Sequence, residues 1–144
     1  MIQIDLPYPP SINTYYAVVR GRKILSKKGR EYKDQVLAIC LTARCNAMIK
    51  GPVFIVIEAN VPDKRRRDQD NIEKPLFDSL TNAGVWVDDS QIQAHFTIWG
   101  NPKKGGWVQV TIQPIEKGVK WLFITRLCIG LMRSLLQRLL SQPD

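Results

Sequence analysis

Asp68 and Asp70 flank a single glutamine, and Asp88 and Asp89 follow eighteen residues later. In extended chain, carboxylates two residues apart project to the same side. Carboxylate oxygens suit a hard divalent cation such as Mg²⁺, which keeps several of its waters when bound. Such a cation polarises a phosphoryl oxygen and generates hydroxide near neutral pH. Phosphodiester hydrolysis also needs fixed positive charge where the transition state gains negative charge. Lys74 stands four residues after Asp70, one helical turn on, and can face the same cleft. The pattern thus suggests a metal site of Asp68, Asp70 and Asp89, with Lys74 steadying a phosphate. A plainer reading stays open: a helix cap at Asp70, surface carboxylates and a solvated basic run. A bare D-x-D favours that plainer reading. Seven of the thirteen acids nevertheless fall within 63–89, directly beside Lys64-Arg65-Arg66-Arg67, and that crowding needs a reason.

Several elements must position these groups. Val53–Val61 is nearly continuously apolar and β-branched, which predicts a buried central strand ending at the basic run. A helix follows to Asn82, capped by Asp70 or Asn71, with Ile72, Leu76 and Leu80 inward and Ala83-Gly84 as its stop. Pro75 is tolerable only near its first turn. Upstream, Ile2, Ile4 and Leu6 alternate as a strand, and Pro7, Pro9 and Pro10 predict an irregular loop through Asn13. Residues 16–19 and 22–25 form a hairpin about Arg20-Gly21. Ser26 caps a helix near 28–49, with Tyr32, Val36, Ile39, Ala43 and Ala47 on one stripe and Lys50-Gly51 as its stop. Residues 85–89 make a short connector. Ile92–Trp99 and Trp107–Ile112 read as a second hairpin around Lys103-Lys104-Gly105-Gly106. The sum is an α+β layout, a mixed β-sheet with packed helices in one domain over 1–114.

Composition narrows the partner. The 144-residue chain is 44% hydrophobic and 24% charged, so it carries a core, and its net charge is +8. A basic surface concentrates polyanions, nucleic acid first and an acidic membrane surface second. Cys40, Cys45 and Cys128 are odd in number with no C-x-x-C pair, which argues against structural zinc and for reduced thiols in a cytoplasmic protein. The first ten residues lack the marks of a secretory signal.

The stretch Pro62-Asp63 through Lys74, then Phe77-Asp78-Ser79-Leu80, then Gly84 through Asp88-Asp89-Ser90-Gln91, resembles the RusA family of Holliday-junction resolvases. The opening Leu6-Pro-Tyr-Pro-Pro10-Ser-Ile-Asn13 with Tyr15-Tyr16, and Lys104-Gly105-Gly106 near the end, are similar too, so the resemblance covers 1–114 in order. It implies a homodimeric, Mg²⁺-dependent endonuclease, with Mn²⁺ as an alternative ion, that nicks two strands of a four-way junction symmetrically in DNA recombination and repair. It implies Asp68, Asp70 and Asp89 as metal ligands, with Asp88 as a possible assistant, and Lys74 as the essential lysine. Lys64, Arg65, Arg66 and Arg67 would approach DNA. Arg20, Arg22, Lys23, Lys27, Lys28 and Arg30, and Lys103 with Lys104, would add phosphate contacts that position rather than specify. No small-molecule cofactor is expected, and the source would be bacterial or phage. Lys64 and Gln69 are mild departures that remove no carboxylate.

Other residues read more plainly. His95 is expected on the surface, beside Gln93 and Thr97. Phe77 could wedge a base step, but core packing is the better reading, and Tyr15 and Tyr16 have packing roles at least as good as stacking on bases. Rival functions are a branched-DNA-binding protein that does not cut, a metal nuclease of other specificity, and a D-x-D sugar transferase. The last is disfavoured by length and by the lack of a Gly-rich phosphate loop.

Residues 115–144 lie outside the resemblance. Trp121–Leu140 is mostly apolar but holds Arg126, Arg133 and Arg138, which makes membrane spanning break-even at best. Arg126, Gly130, Arg133 and Gln137 share one helical face, and Ile124, Cys128, Leu131, Leu135 and Leu139 the other. That is an amphipathic helix, expected to pack on the body or on a partner subunit, with membrane contact disfavoured. Removing 118–144 should therefore change oligomeric state or solubility, read by light scattering. An unaltered particle would sink the packing role.

Overall fold

The computed structural model describes residues 1–115 together with 129, 130 and 137. Its elements are β1 (Ile2–Pro7), α1 (Ile12–Tyr15), β2 (Tyr16–Val19), β3 (Arg22–Leu25), α2 (Lys27–Thr42), β4 (Val53–Asn60), α3 (Asp70–Asn82), a 3₁₀ turn (Asp89–Gln91), β5 (Ile92–Trp99) and β6 (Trp107–Pro114). The arrangement is α+β: a mixed four-stranded sheet in the order β1-β6-β4-β5, with helices packed on it and β2–β3 as a separate ribbon.

The apolar run of β4 puts it inside the sheet, with all eight residues buried. β6 pairs with it antiparallel and β5 parallel. Its alternate residues Val53, Ile55, Ile57 and Ala59 join one core cluster with Val36 and Cys40 of α2 and Ile72, Leu76 and Leu80 of α3. On the other side Phe54 meets Phe96 of β5 edge to face, 5.8 Å between centroids.

The expected hairpin of residues 92–112 is not formed: β4 lies between β5 and β6. Alternating residues around a Gly-rich turn report two strands and a turn, not their adjacency. A strand buried on both faces takes a partner at each edge, and the loop 100–106 is long enough to cross two interstrand spacings of about 4.8 Å. The turn itself is present, with Gly106 N–H donating to Lys103 O at 2.8 Å, and the loop is pinned across the end of β4 by Gly100 N–H to Ala59 O and Lys103 N–H to Val61 O. Gly106 is required there. Its φ is +63°, and a Cβ would stand 2.9 Å from the Pro62 ring.

Three helix expectations also change. Ser11 caps a one-turn helix, α1, where an irregular loop was expected. Ser26 caps α2 as expected, but the helix ends at Thr42 rather than 49. Arg44 enters the left-handed region at φ 53° and Cys45 N–H donates to Cys40 O, turning the chain back one step after the cap at Ala43. Tyr32, Val36 and Cys40 form the buried stripe, while Ala43 and Ala47 are exposed. In α3 the cap position is Gln69, with no capping side chain, and Asp70 is the first helical residue. Its carboxylate faces the positive end of the helix dipole without closing a cap. Pro75 sits in the second turn, where it leaves the Asn71 carbonyl without its helical donor.

The tail helix expected over Trp121–Leu140 falls almost wholly outside the described residues. Ile129, Gly130 and Gln137 are helical and exposed. No helix among the described residues is long and apolar enough to cross a membrane.

Leu76 is fully buried in the core cluster. Leu76→Ala should cost about 2–5 kcal/mol in urea unfolding. A loss under about 1 kcal/mol would contradict the clamping of α3 in this core.

Candidate active site

β4 delivers the chain into the loop 61–69, and that loop is organised by Asp63. Its Oδ1 accepts from the Arg65 backbone N–H at 2.9 Å and pairs with the Arg67 guanidinium at 2.8 Å, while Oδ2 lies 3.3 Å from Arg65 Nε. Arg67 donates further to the carbonyls of Asp63 and Arg65. The backbone hydrogen bond from Arg65, aided by the two guanidinium groups, holds the Asp63 carboxyl below the usual carboxylate range. The four basic residues therefore divide. Arg65 and Arg67 are paired within the loop, whereas Lys64 and Arg66 are exposed and have no partner among the described residues.

Asp68 and Asp70 stand where this loop enters α3. Among the described residues, Asp68 accepts only a long 3.5 Å contact from Asn71 Nδ2. Asp70 is exposed and engages no hydrogen bond or ion pair among the described residues.

Asp89 returns to α3 from beyond its far end. Trp86 is fully buried and donates through Nε1 to Thr81 Oγ1 at 2.7 Å, which anchors the connector. Asp88 then caps the 3₁₀ turn, accepting from Ser90 N–H at 2.9 Å, and Gln91 completes a capping box. The Gln91 amide also donates to Ile49 O and Gly51 O at 2.8 and 2.7 Å. The bonds from Ser90 hold the Asp88 carboxyl below the usual range. Asp88 is thus engaged as a cap.

The centre of the arrangement is Lys74. Its Nζ lies 2.8 Å from Asp89 Oδ2 and 2.8 Å from Asp78 Oδ1, one turn along α3. Tyr16 Oη donates to Asp78 Oδ2 at 2.8 Å, and Lys23 Nζ lies 4.0 Å over the Tyr16 ring. The hydrogen bonds to Asp78 and then Asp89 raise the Lys74 ammonium well above the ordinary lysine range. Burial, then the bond to Asp78, pushes the Tyr16 phenol up to about 12. Sequence reasoning gave Asp78 no role in the site and read Tyr16 as a packing or base-stacking residue, not as a partner of Asp78. The i,i+4 spacing of Lys74 and Asp78 was a usable signal, whereas nothing local links Tyr16 to either.

A second set of bonds ties α3 to β5. Glu73 accepts from Thr97 Oγ1 at 2.6 Å and lies 3.2 Å from His95 Nε2, while Gln69 Nε2 donates to Thr97 O at 3.0 Å. His95 is exposed, as expected. Phe77 is buried against Trp86 and His95, which is the core role. Arg20, Arg22, Lys23, Lys27 and Lys28 are exposed on the ribbon and the start of α2, and Lys103 and Lys104 on the loop after β5. Arg30 donates to Leu25 O at 2.7 Å.

The structure brings Asp89 to Lys74 and sets Asp68 and Asp70 together at the head of α3. It does not draw three acidic, histidine or cysteine groups of the described residues close enough to hold one ion. The donor chemistry does fit a hard cation: Asp68 and Asp70 are exposed and Asp89 half-exposed, and among the described residues Asp70 is uncommitted and Asp68 nearly so.

Residues 7–113 match the sequence profile of the family described as Endodeoxyribonuclease RusA. The chain is 44% identical over 109 residues to proteins named crossover junction endodeoxyribonuclease RusA from Shigella sonnei (strain Ss046) and Escherichia coli (strain K12). It is 43% identical to the one from Enterobacteria phage 82. In each case the match covers 76% of this chain and 91% of the relative.

Two carboxylates hold one ammonium, so removing one charge should ease its deprotonation. Asp78→Asn should shift the Lys74 titration, followed by NMR of its side chain, to lower pH. The pairing stabilises the fold below the unfolded lysine value and fades as pH rises through the raised folded one. An unshifted titration would contradict the pairing.

Proposed function

The chain belongs to the RusA family of endodeoxyribonucleases, and from that premise we propose that it resolves four-way DNA junctions by paired, symmetric, Mg²⁺-dependent nicks. The observation that carries the reading is the Lys74 ion pair with Asp89, on the same helix whose first residue is the uncommitted Asp70. Asp68, Asp70 and Asp89 would hold one or two Mg²⁺ ions, with Mn²⁺ as a substitute. When bound, the cation supplies Lewis acidity and a hydroxide near neutral pH.

The remaining work falls to the chain itself. Asp78 and Tyr16 fix Lys74, and Lys74 orients Asp89 while offering positive charge to a phosphate oxygen. Lys64 and Arg66 extend into solvent and draw the DNA backbone inward. The exposed lysines and arginines of the β2–β3 ribbon, the start of α2 and the loop after β5 add phosphate contacts that set register without reading sequence. A homodimer would present two such sites about a two-fold axis, matching the symmetry of a junction. The proposed setting is recombination and repair in the cytoplasm of a bacterial or phage-infected cell.

Asp70→Asn keeps the shape of a ligand but removes its charge. It should bind a synthetic four-way junction with wild-type affinity in EDTA, while its cutting with Mg²⁺ falls by more than about a hundredfold. Retained cutting would refute the site.

A further inference from the structure

The loop 61–67 and the end of β5 border an open surface cleft of about 410 Å³ whose walls include Lys64, Arg65, Arg66, Arg67 and Trp99. That volume is within the range of small-ligand sites, about 300–1,000 Å³, and suits a single nucleotide. Four cations there face one carboxylate, Asp63, which is already spent on Arg65 and Arg67. Lys64 and Arg66 keep their charges for a ligand. Trp99 is 37% exposed, although it ends a strand whose inner neighbour Ala59 is fully buried.

The position of Trp99 is informative. Residues two apart on a strand share a face, so His95, Thr97 and Trp99 form one row. Glu73 meets His95 and Thr97, and Gln69, at the head of α3, meets the Thr97 carbonyl. Two residues further along, the row passes the start of α3, beside the loop that carries Asp68. An exposed indole, with Lys64 and Arg66 unpaired among the described residues, makes a stacking platform with a phosphate grip, the combination that binds unstacked bases without regard to their identity.

We propose that this cleft takes one unstacked DNA nucleotide, its base on the Trp99 indole and its phosphate on Lys64 and Arg66. Duplex arms keep their bases stacked and offer none, whereas a branch point can release one. The site would hold a branch-point nucleotide beside the loop that carries Asp68. The inference relies on the reading given under Proposed function only for the source of that nucleotide.

The test is anisotropy titration of the full chain, in EDTA, with a labelled thymidine oligomer and with a blunt duplex. Trp99→Ala should weaken oligomer binding by about five- to a hundredfold and leave duplex binding unchanged. Trp99→Phe, which keeps an aromatic face, should restore most of the loss. Arg66→Ala should weaken both DNAs and lower the salt slope by about one. Oligomer binding by Trp99→Ala within twofold of wild type would overturn the proposal, as would an equal loss on the duplex. Junction cutting by the wild type with Mg²⁺ is scored separately. Trp99-dependent oligomer binding in a chain that cuts no junction would uphold the cleft and refute the resolvase reading.

Discussion

One ammonium group organises the polar side of this protein. Lys74 lies between Asp78, on its own helix, and Asp89, on a turn beyond that helix. Two carboxylates this close would repel if alone, and the shared cation turns the repulsion into a tie between two segments. Tyr16 extends the tie to the β2–β3 ribbon by donating to Asp78. Parts of the chain far apart in sequence thereby share one electrostatic centre, to which buried Trp86 and the Gln91 bonds deliver Asp89.

The other half of the site depends on β4. Its burial on both faces makes it the fixed floor from which the loop 61–69 rises. The loop has few apolar anchors, so its order comes from Asp63, which folds two of the four basic side chains back onto the loop. The remaining two stay available. Crossing of β4 by the loop 100–106 places Trp99 and Pro102 against the same basic run. The strand order that sets β5 beside β4 is therefore also what sets an aromatic side chain beside the cations.

Much of this was legible in the sequence because the signals were local. The apolar run of β4, the stripe of Ile72, Leu76 and Leu80, the turn at Arg20-Gly21 and the cap at Ser26 each depend on neighbours in the chain. The failures share a cause. Residues 92–112 carry the pattern of a hairpin, and only the need of β4 for a second partner separates the two strands. The end of α2 is set by Cys45 turning back into the core, which the Lys50-Gly51 signal does not report. In the site, the acidic and basic residues were visible as types and spacings, and the pairing of Lys74 with Asp89 followed the expectation that they share a cleft. The bond from Tyr16 to Asp78 depends on tertiary geometry, whereas the cap role of Asp88 is local, set by Ser90 and by Gln91 three residues on, and is a signal the sequence reading passed over. Asp63 was counted among the acids, but its grip on two arginines becomes visible only once the loop is folded.

The measurement closest to the central claim is nick mapping on a four-way junction labelled on opposing strands, with a matched linear duplex alongside, using the wild-type chain in Mg²⁺ and in EDTA. The account predicts paired nicks placed symmetrically about the crossover, in the junction only and in Mg²⁺ only. Tight junction binding with no nicks in Mg²⁺ or Mn²⁺ would contradict it and leave a branched-DNA-binding protein whose aspartates serve another purpose.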